Sequence, residues 1–254
     1  MQQDYEVKVI RQGYATWLGP TKQKADGTVT LIKGRKLILV DTAGPHSRDA
    51  LLQALKNESV KPGDIDYVVC THGHLDHTGN NNLFANATFI LSYDICKGDE
   101  YTFHDFTSER PYKIDDSVEV IPTPGHTNQD VSVIVRTRQA TVAIVGDLFE
   151  RTEDVEDESL WRSFSEFPED QEESRKIIIA QADYIVPGHG EMFLLGRQGA
   201  KVSAEPVGRA VSTNEDSIRG ALLSRVMWQV LAPLLVAVLG GLTVWFVVWL
   251  MTRG

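Results

Sequence analysis

Cysteine is scarce in this chain: Cys70 and Cys96 are the only two in 254 residues. Two thiols make no disulfide framework, so the small disulfide-stapled class is excluded, and a cytosolic domain would keep both reduced. Cys70 closes an apolar run and reads as a small buried hydrophobe, not as a ligand. Positive charge is also short. Lys and Arg number 25 against 35 Asp and Glu, a formal charge of −10, which weakens any reading built on a basic nucleic-acid-binding stripe. A site made locally positive by metal ions stays open. No internal repeat is visible, and no Ser-His-Asp or Cys-His pair is convincing. The first residues, MQQDYEVKVI, lack the basic and apolar regions of a secretion signal. Asn57-Glu58-Ser59 and Asn86-Ala87-Thr88 match the glycosylation pattern, but a cytosolic domain never meets that enzyme.

One long apolar run is present. From Val230 to Met251 there is no charged residue, and Thr243 is the only hydroxyl. At about 1.5 Å per residue the run spans roughly 33 Å, close to the bilayer core of about 30 Å. Arg225 and Arg253 flank it, with Trp228 toward one end and Trp245 and Trp249 toward the other. A lone C-terminal span without a signal reads as a tail anchor, with the domain on the cytosolic face of a membrane. The expected organisation is a catalytic domain over 1–197, a polar linker over 198–224 and a transmembrane anchor over 225–252.

The first 45 residues read as antiparallel strands, with a turn at Lys33-Gly34-Arg35-Lys36 leading into Leu37–Val40. Ser47 to Leu55 predicts an amphipathic helix with Ser47 as its N-cap. Ile65 to Cys70 predicts a short buried strand, and Gly79 to Phe84 a helical turn. Further strands are expected at Thr88 to Ser92, Val118 to Pro122, Val131 to Arg136, Thr141 to Val145 and Tyr184 to Val186. Glu150 to Glu173 is acidic and reads as surface helix and loop, with a helix over Arg175 to Ala182. Two strand-rich halves, each followed by helices, point to an α+β sheet sandwich with helices on its outer faces.

The run Thr71-His72-Gly73-His74-Leu75-Asp76-His77-Thr78-Gly79 carries the chemistry. Four ligand-type side chains fall within six positions directly after an apolar strand. His72 and His74 can face one metal from a loop. Asp76 and His77 are adjacent, so their side chains diverge, which suits a second metal beside the first. Three more motifs follow strands: Thr123-Pro124-Gly125-His126, Gly146-Asp147 and Pro187-Gly188-His189-Gly190. Five of the chain's seven histidines lie in these motifs; His46 and His104 read as surface or structural, with His104 a candidate for the cleft rim. Imidazole and carboxylate without thiolate suit Zn2+, with iron or manganese open as alternatives.

This order of motifs resembles the metallo-β-lactamase superfamily, of the glyoxalase II type, over roughly residues 5–195. The resemblance implies an αββα sandwich with two zinc ions at one edge. It implies His72, His74 and His126 on the first metal, Asp76, His77 and His189 on the second, and Asp147 bridging. Asp41 matches the family's early strand-end aspartate, which supports the ligand loop from behind. The stretches Val69–His74, Val131–Val133, Gly146–Arg151, Glu173–Lys176 and Val186–Gly190 are similar to a small single-domain animal subfamily. That likeness implies a zinc endoribonuclease of the histone pre-mRNA processing kind, cytosolic and nuclear, and a homodimer. The apolar C-terminal run departs from the subfamily pattern, and a membrane-fixed enzyme would not enter chromatin freely.

Two metals about 3.5–4 Å apart bridge a water and lower its pKa toward about 7. The metal-bridged hydroxide then attacks phosphorus or an acyl carbon, with Asp76 or Asp147 orienting it or moving its proton. The expected partners are RNA, or a small phosphodiester or thioester. A glyoxalase II-like thioester hydrolase is one alternative, although residues 198–224 leave no room for that enzyme's helical substrate domain. Persulfide oxidation at a single iron is another. A non-catalytic, tail-anchored metal-binding scaffold is the reading outside enzymes.

Overall fold

The computed structural model describes residues 4–108 and 110–196. The expected linker over 198–224 and anchor over 225–252 lie outside the described residues. Among the described residues no helix is long and apolar enough to cross a membrane.

The first half contains β1 (Glu6–Arg11), β2 (Tyr14–Gly19), β3 (Lys22–Asp26), β4 (Val29–Lys33), β5 (Leu37–Val40), α1 (Arg48–Asn57), β6 (Tyr67–Cys70), α2 (Leu75–Thr78), β7 (Thr88–Leu91), β8 (Asp94–Lys97) and β9 (Glu100–Thr102). The second contains β10 (Tyr112–Lys113), β11 (Val118–Pro122), β12 (Val131–Arg136), β13 (Thr141–Gly146), α3 (Pro168–Gln181), β14 (Tyr184–Pro187) and β15 (Phe193–Leu194). Among the described residues they form a seven-stranded sheet, β1-β4-β5-β6-β7-β8-β9, a six-stranded sheet, β10-β11-β12-β13-β14-β15, and the separate hairpin β2-β3. β5, β6 and β7 pair in parallel, as do β13 and β14.

Successive side chains on a strand point to opposite faces, and here both faces are buried. Ile32, Ile38, Val40 and Val69 point inward and meet Val120, Val133, Val135 and Ile144 of the other sheet. Their neighbours Leu31, Leu39, Val68 and Cys70 point outward, under Leu51 and Leu55 of α1. On the second sheet Ile134, Ala143, Val145 and Ile185 point outward, under Ile178 of α3. The outcome is an α/β sandwich with a helix covering each outer face, as the two-layer reading anticipated. Continuous apolar runs such as Leu37–Val40 follow from this double burial.

Three details differ from the sequence reading. Ser47 stands at the N-cap of α1 but makes no side-chain cap; its hydroxyl is donated instead to Asp26 Oδ2 at 2.5 Å. α3 starts at Pro168, well before Arg175. Pro168 fits the first turn, with Glu169 and Asp170 on its positive end. Its inner face is mostly polar, Gln171, Ser174 and Arg175 with Ile178, so it shows little hydrophobic periodicity. β8 and β9 extend the first sheet as short strands, β8 burying Ile95 in the core and the edge strand β9 exposed throughout, and a short edge strand limits pairing with other chains.

Candidate metal centre

All the motif residues follow strand ends on one side of the sandwich. Asp41 follows β5, the loop from Thr71 to His74 follows β6, Asp147 follows β13, and His189 lies just beyond β14. His126 lies beyond β11, which runs with β13 because β12 is antiparallel to both. Parallel neighbours end together, so these loops converge. Asp76 and His77 belong to the short helix α2.

The seven side chains fall into two groups. His72, His74, His126 and Asp147 each offer an atom within 4.8 Å of the others, and so do Asp76, His77 and His189. In the first group His74 turns Nδ1 inward, 3.0 Å from His72 Nε2 and 3.1 Å from His126 Nε2. Asp147 reaches both groups. Its Oδ2 lies 3.4 Å from His126 Nε2 and 3.2 Å from His189 Nε2, while its Oδ1 lies 3.2 Å from His77 Nε2. Asp76 Oδ2 approaches His189 Nε2 at 3.6 Å, and a quarter of its side chain meets solvent. His74 is exposed, so the cleft opens past His74 and Asp76.

The ring orientations are fixed from behind. Asp41 Oδ2 lies 2.8 Å from His77 Nδ1, leaving Nε2 for the cleft. Asp41 also accepts from the Thr71 backbone N–H at 2.8 Å and from its hydroxyl at 2.9 Å. Thr71 Oγ1 lies 3.1 Å from His72 Nδ1, so one threonine ties Asp41 to the first histidine. The backbone carbonyl of Asp26 lies 3.1 Å from His189 Nδ1. Asp26 is itself locked by Arg11, Ser47 and the Gly44 N–H. Such outer partners set which ring nitrogen faces inward.

Burial, the largest effect, holds the His72 and His126 rings below the ordinary histidine range despite Asp147. Burial opposes protonation of His77 and His189 too, but Asp147 outweighs it. His77 is held well above its ordinary range and His189 is raised to about 9. Burial likewise opposes ionising Asp147, yet His189 and His77 hold its carboxyl well below the usual range. The negative field that draws protons to these rings also draws cations.

The residues fit a metal. His77 Nε2 and Asp147 Oδ1 are buried with no hydrogen-bond partner, although only 3.2 Å apart. They lie close together without a hydrogen bond between them, as two neighbouring donors to bound cations would. Unpaired buried polar atoms are otherwise costly. The set of imidazole and carboxylate donors, without sulfur, suits zinc.

The remaining residues singled out from the sequence fall elsewhere. His46 is exposed, 3.8 Å from Asp26 Oδ2. His104 packs on the rings of Phe106 and Tyr112. Cys70 is buried, and burial pushes its thiol far up, as expected for an inert core residue. Thr71, Asp26 and Gly188 are the contributors that the sequence reading passed over. Thr71 begins the decisive motif, and Gly188 precedes His189, so both were adjacent to the signal. Asp26 acts through its backbone, which no residue pattern announces.

Two glycines in the motifs have opposite importance. A Cβ on Gly188 would lie 1.9 Å from Asp147 Oδ1, whereas one on Gly73, between two histidines, meets nothing within 4 Å. Gly188→Ala is expected to displace the Asp147 carboxylate and lower the divalent metal retained through dialysis, while Gly73→Ala leaves retention unchanged. Elemental analysis of the dialysed proteins checks this, and equal retention would contradict it.

Residues 25–115 match the model of the metallo-beta-lactamase superfamily. The chain is 46% identical over 204 residues to metallo-beta-lactamase domain-containing protein 1 of Xenopus laevis, covering 79% of this chain and 86% of that protein. In fold it is similar to a quorum-quenching N-acyl homoserine lactone lactonase, with a TM-score of 0.57 at 22% identity, over 75% of this chain and 93% of that one. It is also similar to a dizinc quorum-quenching lactonase, with a TM-score of 0.52 at 16% identity, over 76% of this chain and 82% of that one. The chain belongs to the metallo-beta-lactamase superfamily, whose members are metal-dependent hydrolases.

Proposed function

We propose that this chain is a two-zinc hydrolase acting on phosphodiester bonds, an endoribonuclease of the histone pre-mRNA processing kind. The observation that carries the hydrolytic part is the gathering of six imidazole and carboxylate side chains around Asp147. The phosphodiester part is supported by likeness to the single-domain subfamily over most of the chain. His72, His74 and His126 would hold one ion, Asp76, His77 and His189 the other, with Asp147 between them. Divalent metals held there would supply Lewis-acid polarisation of a phosphoryl or carbonyl oxygen and would acidify water. The chain's own residues do the rest. Asp41, Thr71 and the Asp26 carbonyl keep the ring nitrogens aimed. Asp76, the one partly solvated carboxylate of the set, can pass a proton from its Oδ2 to solvent.

A second reading, hydrolysis of a lactone or thioester with an apolar arm, is favoured by the cleft rim. Leu75, between His74 and Asp76, is 68% exposed. Trp17 and Leu18 are exposed on the β2-β3 hairpin, whose base is tied to the centre by the Gly27 N–H donated to the Asp76 carbonyl. Trp17 meets Phe164, ring centroids 6.0 Å apart, near a segment whose Glu166 N–H is donated to the His126 carbonyl. Exposed apolar groups beside a polar centre suit a substrate with an apolar part.

The zinc-loaded full chain, tested on single-stranded RNA, a glutathione thioester and an N-acyl homoserine lactone, decides between the two. Endonucleolytic RNA cleavage is expected, lost with chelator and in His72→Ala. Lactone or thioester turnover with intact RNA would overturn the phosphodiester reading and leave the hydrolase.

We also propose that the apolar run over 230–251 holds the chain in a membrane with the catalytic domain on its cytosolic face. Its length and flanking arginines support this. Carbonate-washed membranes are expected to retain the full chain, and a chain ending at Arg219 to be released. Release of the full chain would refute the anchor.

A further inference from the structure

The helix whose inner face is polar lies directly behind the two ligand loops of the second sheet. Gln171 of α3 is 1% exposed, and its Nε2 donates to the backbone carbonyls of Asp147 and Leu148, each at 3.2 Å. Its backbone lies against the other loop: a Cβ on Gly125 would sit 2.2 Å from Gln171 Cα, and Gly125 has φ +146°. The loop holding His126 is tied to the same helix and its approach by further hydrogen bonds, Ser165 Oγ donating to the Gly125 carbonyl at 2.8 Å among them. Ser174 Oγ donates to the Pro124 carbonyl at 2.8 Å, the Phe167 N–H to the Gly125 carbonyl at 2.9 Å, and the Glu166 N–H to the His126 carbonyl at 3.2 Å. Arg175, stacked on Phe149 at 3.8 Å, donates to the Leu148 carbonyl at 2.8 Å.

We infer that Gln171 is a positioning residue for the metal centre, a brace that fixes the separation of the His126 and Asp147 loops and so sets metal affinity. Its amide bonds the carbonyl of Asp147 itself, while its backbone sets how close the His126 loop can come. Two loops from different strands are thereby referred to one rigid helix. Gln171 acts through these loops, not as a ligand. Its polarity is otherwise unexplained, since an apolar side chain would pack the sheet face as Ile178 does about two turns further on. The inference rests on the metal-centre reading and is independent of which bond is cleaved.

The test is zinc affinity, measured on the full chain by competition with a chromophoric chelator, beside thermal melting of the metal-free protein. Gln171→Met keeps the shape and removes the donors. It is expected to weaken zinc binding by about 10–100-fold, the range for outer-shell partners, while metal-free melting stays cooperative. Gln171→Glu, isosteric but without N–H donors, is expected to lose affinity likewise. Parent-like zinc affinity in Gln171→Met with a lowered melting temperature would show a packing role alone and overturn the inference. If Gln171→Met fails to fold, Ser174→Ala carries the test, with a several-fold loss expected and parent-like affinity overturning it. A parent chain that binds no zinc would sink the metal-centre reading with it, whereas zinc binding in the parent isolates the brace.

Discussion

A carboxylate taken out of water is tolerated only where each oxygen faces a cation or a donor, and Asp147 imposes that demand on everything around it. Only 6% exposed, it has imidazole nitrogens on both oxygens: His77 beside Oδ1, and His189 and His126 beside Oδ2. These rings come from three separate segments. The centre therefore exists only in the folded chain, and the accuracy with which those segments are held decides its affinity for cations.

The fold meets the demand by making strand ends coincide. β5 and β6 end together in one sheet, and β13 and β14 in the other. Backbone bonds then couple the layers at the centre: the Val131 N–H donates to the Thr71 carbonyl, and the Thr28 N–H to the Gly188 carbonyl. Space is as tightly set as hydrogen bonding. Gly146, at φ +53°, lies where a Cβ would come within 2.3 Å of Thr71 Oγ1, so the turn into Asp147 needs glycine for both conformation and room.

Much of this was legible in the sequence, for identifiable reasons. The candidate ligands are local: His72 to His77 lie in one short stretch, and each later candidate sits in the loop after a strand, so a linear reading picks out the side chains that the fold brings together. The sandwich was legible because both sheet faces are buried and its strands are plain apolar runs. What escaped the reading acts through the backbone or through polar burial. The Asp26 carbonyl behind His189 leaves no trace in residue type. The start of α3 at Pro168 was hidden because Gln171, Ser174 and Arg175 occupy the positions where a hydrophobic stripe would mark a core-facing helix. Ser47, a sound N-cap by residue type, was diverted by the buried carboxylate of Asp26.

The central claim is that two adjoining donor groups share Asp147 and hold a pair of metal ions. Zinc content per chain, measured by elemental analysis on the purified, zinc-equilibrated protein alongside Asp147→Asn, tests it most directly. About two equivalents are expected for the natural chain, with a loss from both groups in the variant. Less than one equivalent in the natural chain, or an undiminished content in Asp147→Asn, would contradict it.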